Sequence, residues 1–165
     1  MEIASLLAGI TVPPELVGNV MEYPEMPYIE LTSTAIPESE LYDLPSVEQF
    51  RELEPSHKRL VVFKHGMKTG FTAGFANVPK SVKRSNGHVS EEWCILPFPR
   101  LSFSQPSDSG SCVWDTERRI GGIIIAGCGN DASKDTTYAT PIERLLTDIR
   151  RRGYHVELPL AGEEI

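Results

Sequence analysis

The chain has 165 residues, 40% of them hydrophobic and 24% charged, with a formal net charge of −7. That is globular composition, and it excludes an intrinsically disordered chain. No apolar run approaches the ~20 residues that cross a bilayer, and residues 1–10 carry Glu2 but no Lys or Arg, unlike the basic start of a signal peptide. A cytoplasmic or otherwise intracellular chain with no membrane partner is expected. Thirteen Gly and thirteen Pro call for many turns, and so for a β-rich fold.

Charge divides the chain in two. Residues 1–55 hold eleven acidic side chains and one basic, Arg51, whereas residues 56–165 hold fifteen basic and twelve acidic. Such an acidic flank repels phosphate, so no nucleic-acid partner is expected. It is either a solvated flank or a segment lying across the more basic half or a partner chain.

In chain order, Ile3, Leu6, Leu7 and Ile10 have helical spacing. Six prolines between Pro13 and Pro45 mark extended linker, in which residues 28–32 could form a short strand. Ser46 and Gln49 form a capping box for a short helix ended by Pro55. Residues 1–57 are therefore an acidic, proline-rich extension. From residue 58 the pattern becomes β. Residues 60–63 and 71–78 read as strands, residues 80–92 as an exposed hairpin loop, and residues 93–96 as a further strand. Residues 111–114 and 122–126 form two more strands, joined by the polar turn 115–119. Six or so short strands suggest a small antiparallel barrel or sandwich.

The ending predicts a helix over 141–151. Thr140 is placed to cap it, with Pro141 at the first position and Glu143 completing a capping box. Ile142, Leu145, Leu146 and Ile149 line one face; Arg150, Arg151 and Arg152 suit the negative end of the dipole, and Gly153 stops it. Residues 154–165 are a tail. Cys94, Cys112 and Cys128 have no metal-ligand spacing, and an odd count fits reduced, buried thiols, although Cys112 and Cys128 flank a hairpin and could approach each other. No metal or other cofactor is expected.

The chemically informative string is Ser107-Asp108-Ser109-Gly110-Ser111, abutting the apolar strand that starts at Cys112. A nucleophilic serine needs a tight turn that presents its Oγ, with backbone N–H groups converging on a developing oxyanion. Alone, such a string more often marks an Asx or ST turn. Its surroundings are K-x-G-x-x-T-G-x-T-x-G at residues 64–74, a glycine-containing hairpin at residues 121–127 and Tyr138-Ala139-Thr140-Pro141-Ile142. Together, over residues 59–152, these segments resemble the second β-barrel of trypsin-like serine peptidases. They are most similar to the disulfide-free intracellular type.

The resemblance implies a trypsin-like antiparallel barrel over residues 58–153 with a terminal helix. It puts Ser109 in the nucleophile's place and makes the N–H groups of Ser107 and Ser109 the oxyanion hole. Phe103 would lie at the base of an apolar specificity pocket walled by Ile125, Ala126 and Gly127. The family has glycine where this chain has Ser107, and a side chain there is expected to resist a positive φ. The general-base histidine and its aspartate belong to a first barrel that residues 1–55 are too short and proline-rich to form. His57, at the end of the extension, is the candidate base, since His65 falls inside the K-x-G motif and His88 in a polar loop. A peptide or protein substrate, or a partner chain, is implied. Three readings stay open: a peptidase, a pseudo-peptidase that binds protein, and a plain β-domain.

Overall fold

The computed structural model of the chain describes residues 31–42, 60–85, 87–98, 101–128 and 136–158. Six strands run β1 (Val61–Gly66), β2 (Gly70–Ser85), β3 (His88–Pro97), β4 (Cys112–Asp115), β5 (Ile120–Cys128) and β6 (Thr136–Pro141). They close into an antiparallel barrel in the order β1-β2-β3-β6-β5-β4. Two helices flank them, α1 (Glu38–Leu41) and α2 (Ile142–Arg151). The fold class is mainly β, a closed barrel with a C-terminal helix.

Successive strand side chains face opposite ways, and here both faces of β1 are covered. Val62 belongs to the barrel interior with Ala76, Trp93, Ile95, Phe103, Val113, Ile124 and Ala139. Val61 and Phe63 instead join an outer cluster with Ala73, Phe98 and Trp114, against which Phe71 and Phe75 also pack. Burial on both sides explains why residues 60–63 read as a continuous apolar run rather than an alternation.

Residues 31–42 form a strap across this barrel. Ile36 N–H donates to Ile120 O at 2.8 Å and Ile120 N–H to Thr34 O at 2.9 Å, a parallel bridge at Ala35 and Ile120. Ile36 and Leu41 are 0% and 1% exposed within the interior cluster. Each such burial stabilises by about 1.5–3 kcal/mol.

Several expectations are revised. Residues 80–92 are not a loop: β2 and β3 continue through them to Ser85↔His88. Polarity there reflects exposure on both faces over most of the arm, at Val82, Lys83, Arg84 and residues 89–91, whereas Glu92 at its base is buried. The sixth strand is β6, whereas Leu31 and Thr32 are not in a strand and residues 28–30 lie outside the described residues. The helices suggested at residues 3–10 and 46–54 also lie outside them.

Helix α2 begins at Ile142 after Pro141, with no side-chain cap. Thr140 Oγ1 donates instead to Glu92 Oε2 at 2.9 Å, and Glu143 Oε2 accepts from Glu38 N–H at 2.8 Å. Tertiary partners thus took both members of the capping box. Ile142 and Leu146 are buried, Leu145 and Ile149 half-buried, and Gly153 (φ 89°) ends the helix. Cys94 and Cys112 are free thiols. Cys112 registers with Ile123 and Cys128 with Thr136, which sets the two apart along β5.

Candidate functional site

The loop from Leu101 to Ser111 leads into β4, and the β1–β2 hairpin forms its cradle. Asp108, 0% exposed, sits at the centre. Its Oδ1 accepts the N–H groups of Lys68 at 2.7 Å and Thr69 at 3.2 Å. Its Oδ2 accepts Thr69 Oγ1 at 2.7 Å and Gln105 N–H at 3.0 Å, and lies 3.3 Å from Lys64 Nζ. Lys64, also fully buried, donates further to Gly70 O at 3.0 Å and to Thr69 Oγ1.

The K-x-G-x-x-T-G string thereby acquires a physical reading. Lys64 supplies the countercharge, Thr69 a hydroxyl and an N–H, and Lys68 a second N–H. Gly66 leaves the space: a Cβ there would stand 2.5 Å from Asp108 Oδ1 and 2.8 Å from Lys64 Nζ. In the remainder of the motif, Thr72 Oγ1 donates to Phe103 O at 2.7 Å, tying down the start of the same loop.

Burial alone would push the Asp108 carboxyl up, but the Thr69 hydroxyl and the N–H groups of Gln105, Lys68 and Thr69 hold it well below the usual carboxylate range. Burial lowers Lys64 from its ordinary value, and Asp108 opposes that shift. Asp108 is therefore held as a carboxylate against the Lys64 amine. Removing one partner of such a buried pair strands the other charge.

With the carboxylate fixed, the chain reverses direction around Ser109. Asp108 N–H donates to Gln105 O at 3.0 Å, Gly110 N–H to Ile124 O at 2.8 Å, and Ser111 N–H to Asp108 O at 3.1 Å. Ser109 is left exposed at the turn. Ser107 has φ 87° and Gly110 φ 93°. The serine therefore adopts the left-handed region that it was expected to resist. Left-handed backbone costs an L-residue roughly 1–2 kcal/mol, and the flanking bonds made by Asp108 and Gln105 offset it. Among the described residues, neither Ser107 N–H nor Ser109 N–H has an acceptor.

The pocket residues divide. Phe103, 0% exposed, belongs to the barrel interior. Its neighbour Ser104 is buried and shares a hydrogen bond of 2.6 Å with Thr137 Oγ1. Ile125 and Ala126 are half-buried and Gly127 is exposed; a Cβ on Gly127 would meet Ser104 Oγ at 3.5 Å. The Ser104 hydroxyl and the Thr136 carbonyl, not the Phe103 ring, therefore lie against Gly127.

His57 lies outside the described residues. His65 is exposed on β1, and His155 stands 3.5 Å from Glu157 beyond α2. Among the described residues neither imidazole is bonded to Ser109. A broad open groove lies elsewhere, between the strap, α2 and the segment after it, lined by Ser33, Glu38, Arg144, Leu146, Arg150 and Leu158. None of the described candidate site residues borders it. Among the described residues no group of three or more His, Cys, Asp or Glu could hold a metal, and no helix is long and apolar enough to cross a membrane.

Lys64, Thr69 and Gln105 were missed as site residues. The signal for the first two was present in the K-x-G-x-x-T-G motif, which served only as a mark of likeness.

Solved structures similar to this chain are trypsin-like serine proteases. Cellulomonas bogoriensis chymotrypsin is 19% identical with a TM-score of 0.46, over 61% of this chain and 50% of that one. Thermobifida fusca protease A is 19% identical with a TM-score of 0.48, over 62% and 50%. Nocardiopsis protease is 18% identical with a TM-score of 0.44, over 54% and 45%. The chain spans about half the length of these structures. No family profile and no curated protein matches it.

Proposed function

We propose that the chain is a serine-peptidase-like domain, the second barrel of a trypsin-like, disulfide-free peptidase, with Ser109 as nucleophile and weak hydrolytic activity on its own. One observation carries this reading. An exposed serine follows directly on a buried aspartate that accepts five hydrogen bonds, in a turn whose φ at Ser107 is 87°. Holding a non-glycine residue there costs energy, and such strain collects at functional turns. The N–H groups of Ser107 and Ser109, which have no acceptor among the described residues, are the donors for an oxyanion. Ile125, Ala126 and Gly127 form the substrate side, backed by Phe103 in the barrel interior and by the Ser104–Thr137 hydroxyl pair, which adds polarity. His57 is the imidazole from which base assistance would come.

The substrate is a peptide or protein, and the compartment is intracellular. Without a histidine held against it, a serine hydroxyl is a poor nucleophile near neutral pH. Enzymes stripped of triad members keep only ~10³–10⁴-fold enhancement over water, and this chain should do no better. A second reading, an inactive pseudo-peptidase that binds protein through the barrel, is favoured by the lack of a bonded imidazole at Ser109 among the described residues.

The test is a serine-directed fluorophosphonate probe with a broad peptide library. Slow labelling, lost in Ser109→Ala and reduced less than about tenfold in His57→Ala, fits the weak domain. No labelling at all selects the pseudo-peptidase. Stoichiometric labelling with efficient turnover, abolished in His57→Ala, would contradict the weak reading and make His57 a full base.

A further inference from the structure

The β2–β3 hairpin outruns the barrel. The β2 pairing with β1 involves residues 70–75, and the β3 pairing with β6 involves residues 93–95. From Ser81↔Glu92 to Ser85↔His88 the two strands pair only with each other. Among the described residues, each strand of this arm has one backbone edge with no sheet neighbour. An open edge is a template for another strand unless charge or shape discourages it.

The arm's side chains point to what the edge accepts. Val82 and Val89 are 59% and 63% exposed. The pairs Val82↔Glu91 and Arg84↔Val89 put both valines on one face, diagonal to each other and beside Arg84. Lys83 is exposed on the other face. At the base, Lys80 is neutralised by Glu38 at 3.2 Å and Glu91 at 3.3 Å. Lys83 and Arg84 have no ion pair among the described residues. A chain of net charge −7 thus extends a ribbon whose outer strand, at residues 82–84, reads Val-Lys-Arg, with neither cation ion-paired among the described residues.

We propose that this arm binds an extended acidic peptide, which adds as a third strand along the outer edge of β2. Main-chain hydrogen bonds supply affinity in this mode, and alternate side chains supply selectivity. Residues facing Lys83 and Arg84 are carboxylates, and the residue facing Val82 is apolar. Complementary charge decides which peptides approach and in what register. Nucleic acid fits less well. Residues 80–91 contain no Phe, Tyr or Trp on which bases could stack, and Glu91 shares the face that carries Arg84.

The experiment is fluorescence anisotropy on the full chain with three labelled probes: a Glu/Val-rich peptide, its Lys/Val counterpart and an oligothymidylate. The Glu/Val peptide should bind, and binding should weaken with added salt. The double variant Lys83→Glu/Arg84→Glu should lose about tenfold or more and gain affinity for the Lys/Val peptide. Val82→Thr should weaken the Glu/Val peptide without restoring the other. All three side chains are exposed, so thermal midpoints should match the parent chain and separate lost binding from lost folding. Four results would overturn the assignment: no binding at millimolar peptide, equal binding of both peptides, indifference to charge reversal, or tighter binding of the oligonucleotide.

Discussion

Two ion-pair clusters in this protein use the same chemistry in opposite surroundings. Lys64 and Asp108 are both 0% exposed and close the turn that carries Ser109. Glu38, Arg144 and Lys80 are 31%, 24% and 41% exposed and hold the strap against α2 and the base of the β2–β3 arm. In the first, desolvation makes every missing donor costly, so the cluster fixes a shape. In the second, water and salt compete for each charge, so the buried Ile36 and Leu41 must supply most of the adhesion.

The largest difference should appear on breaking each cluster. Asp108→Ala strands the Lys64 ammonium and orphans three backbone N–H groups, and should cost about 3–5 kcal/mol in urea unfolding. Lys64→Met should cost less, about 3 kcal/mol, because four donors still hold the carboxylate. The reverse order would mean that the charge pair, rather than the N–H cradle, dominates the turn.

Glu38→Gln, by contrast, should cost less than about 1 kcal/mol, with the difference shrinking in high salt. Burial raises the Glu38 carboxyl, but Arg144 and Lys80 together bring it below its ordinary value. Its contribution is therefore complete above the normal carboxylate range and is lost as pH falls below it. A loss in Glu38→Gln as large as that in Lys64→Met would remove the distinction between the clusters.

The smallest effect concerns Tyr42, whose ring lies 4.7 Å from Lys80 Nζ. Burial, helped by Glu38, Glu92 and Glu91 and opposed by Arg144, pushes its hydroxyl up to about 12. Tyr42 favours the folded strap fully below its unfolded value of 10.0 and loses that effect as pH rises toward 12. Tyrosinate absorbance should show one tyrosine titrating late, and Tyr42→Phe should abolish that phase. An early titration of every tyrosine would place Tyr42 in solvent.

Much of the barrel was legible because its signals are local. The apolar runs at residues 60–63, 93–96, 111–114 and 122–126 are strands, and the spacing of Ile142, Leu146 and Ile149 is a helix that Gly153 ends. The errors fall where distant contacts overrule local pattern. Thr140 and Glu143 left their cap for Glu92 and Glu38. Residues 80–92 looked like loop because most of the arm's side chains, among them Val82, Lys83, Arg84 and Val89, face solvent. Ser109 could be singled out from Asp-Ser-Gly-Ser, but the charge partner of Asp108 lies 44 positions away. No short-range pattern reports a countercharge at that separation.

The central claim, that the cradle around Asp108 sets the Ser109 turn, is tested most directly by amide hydrogen exchange at Gly110 and Ser111, which donate to Ile124 O and Asp108 O. Both amides should be as protected as that of Ile124, which donates to Ser111 O, despite sitting in an exposed turn. In Lys64→Met they should exchange at least about tenfold faster relative to Ile124 than in the parent chain. Fast exchange at Gly110 and Ser111 in the parent chain, or an unchanged ratio in Lys64→Met, would contradict the account.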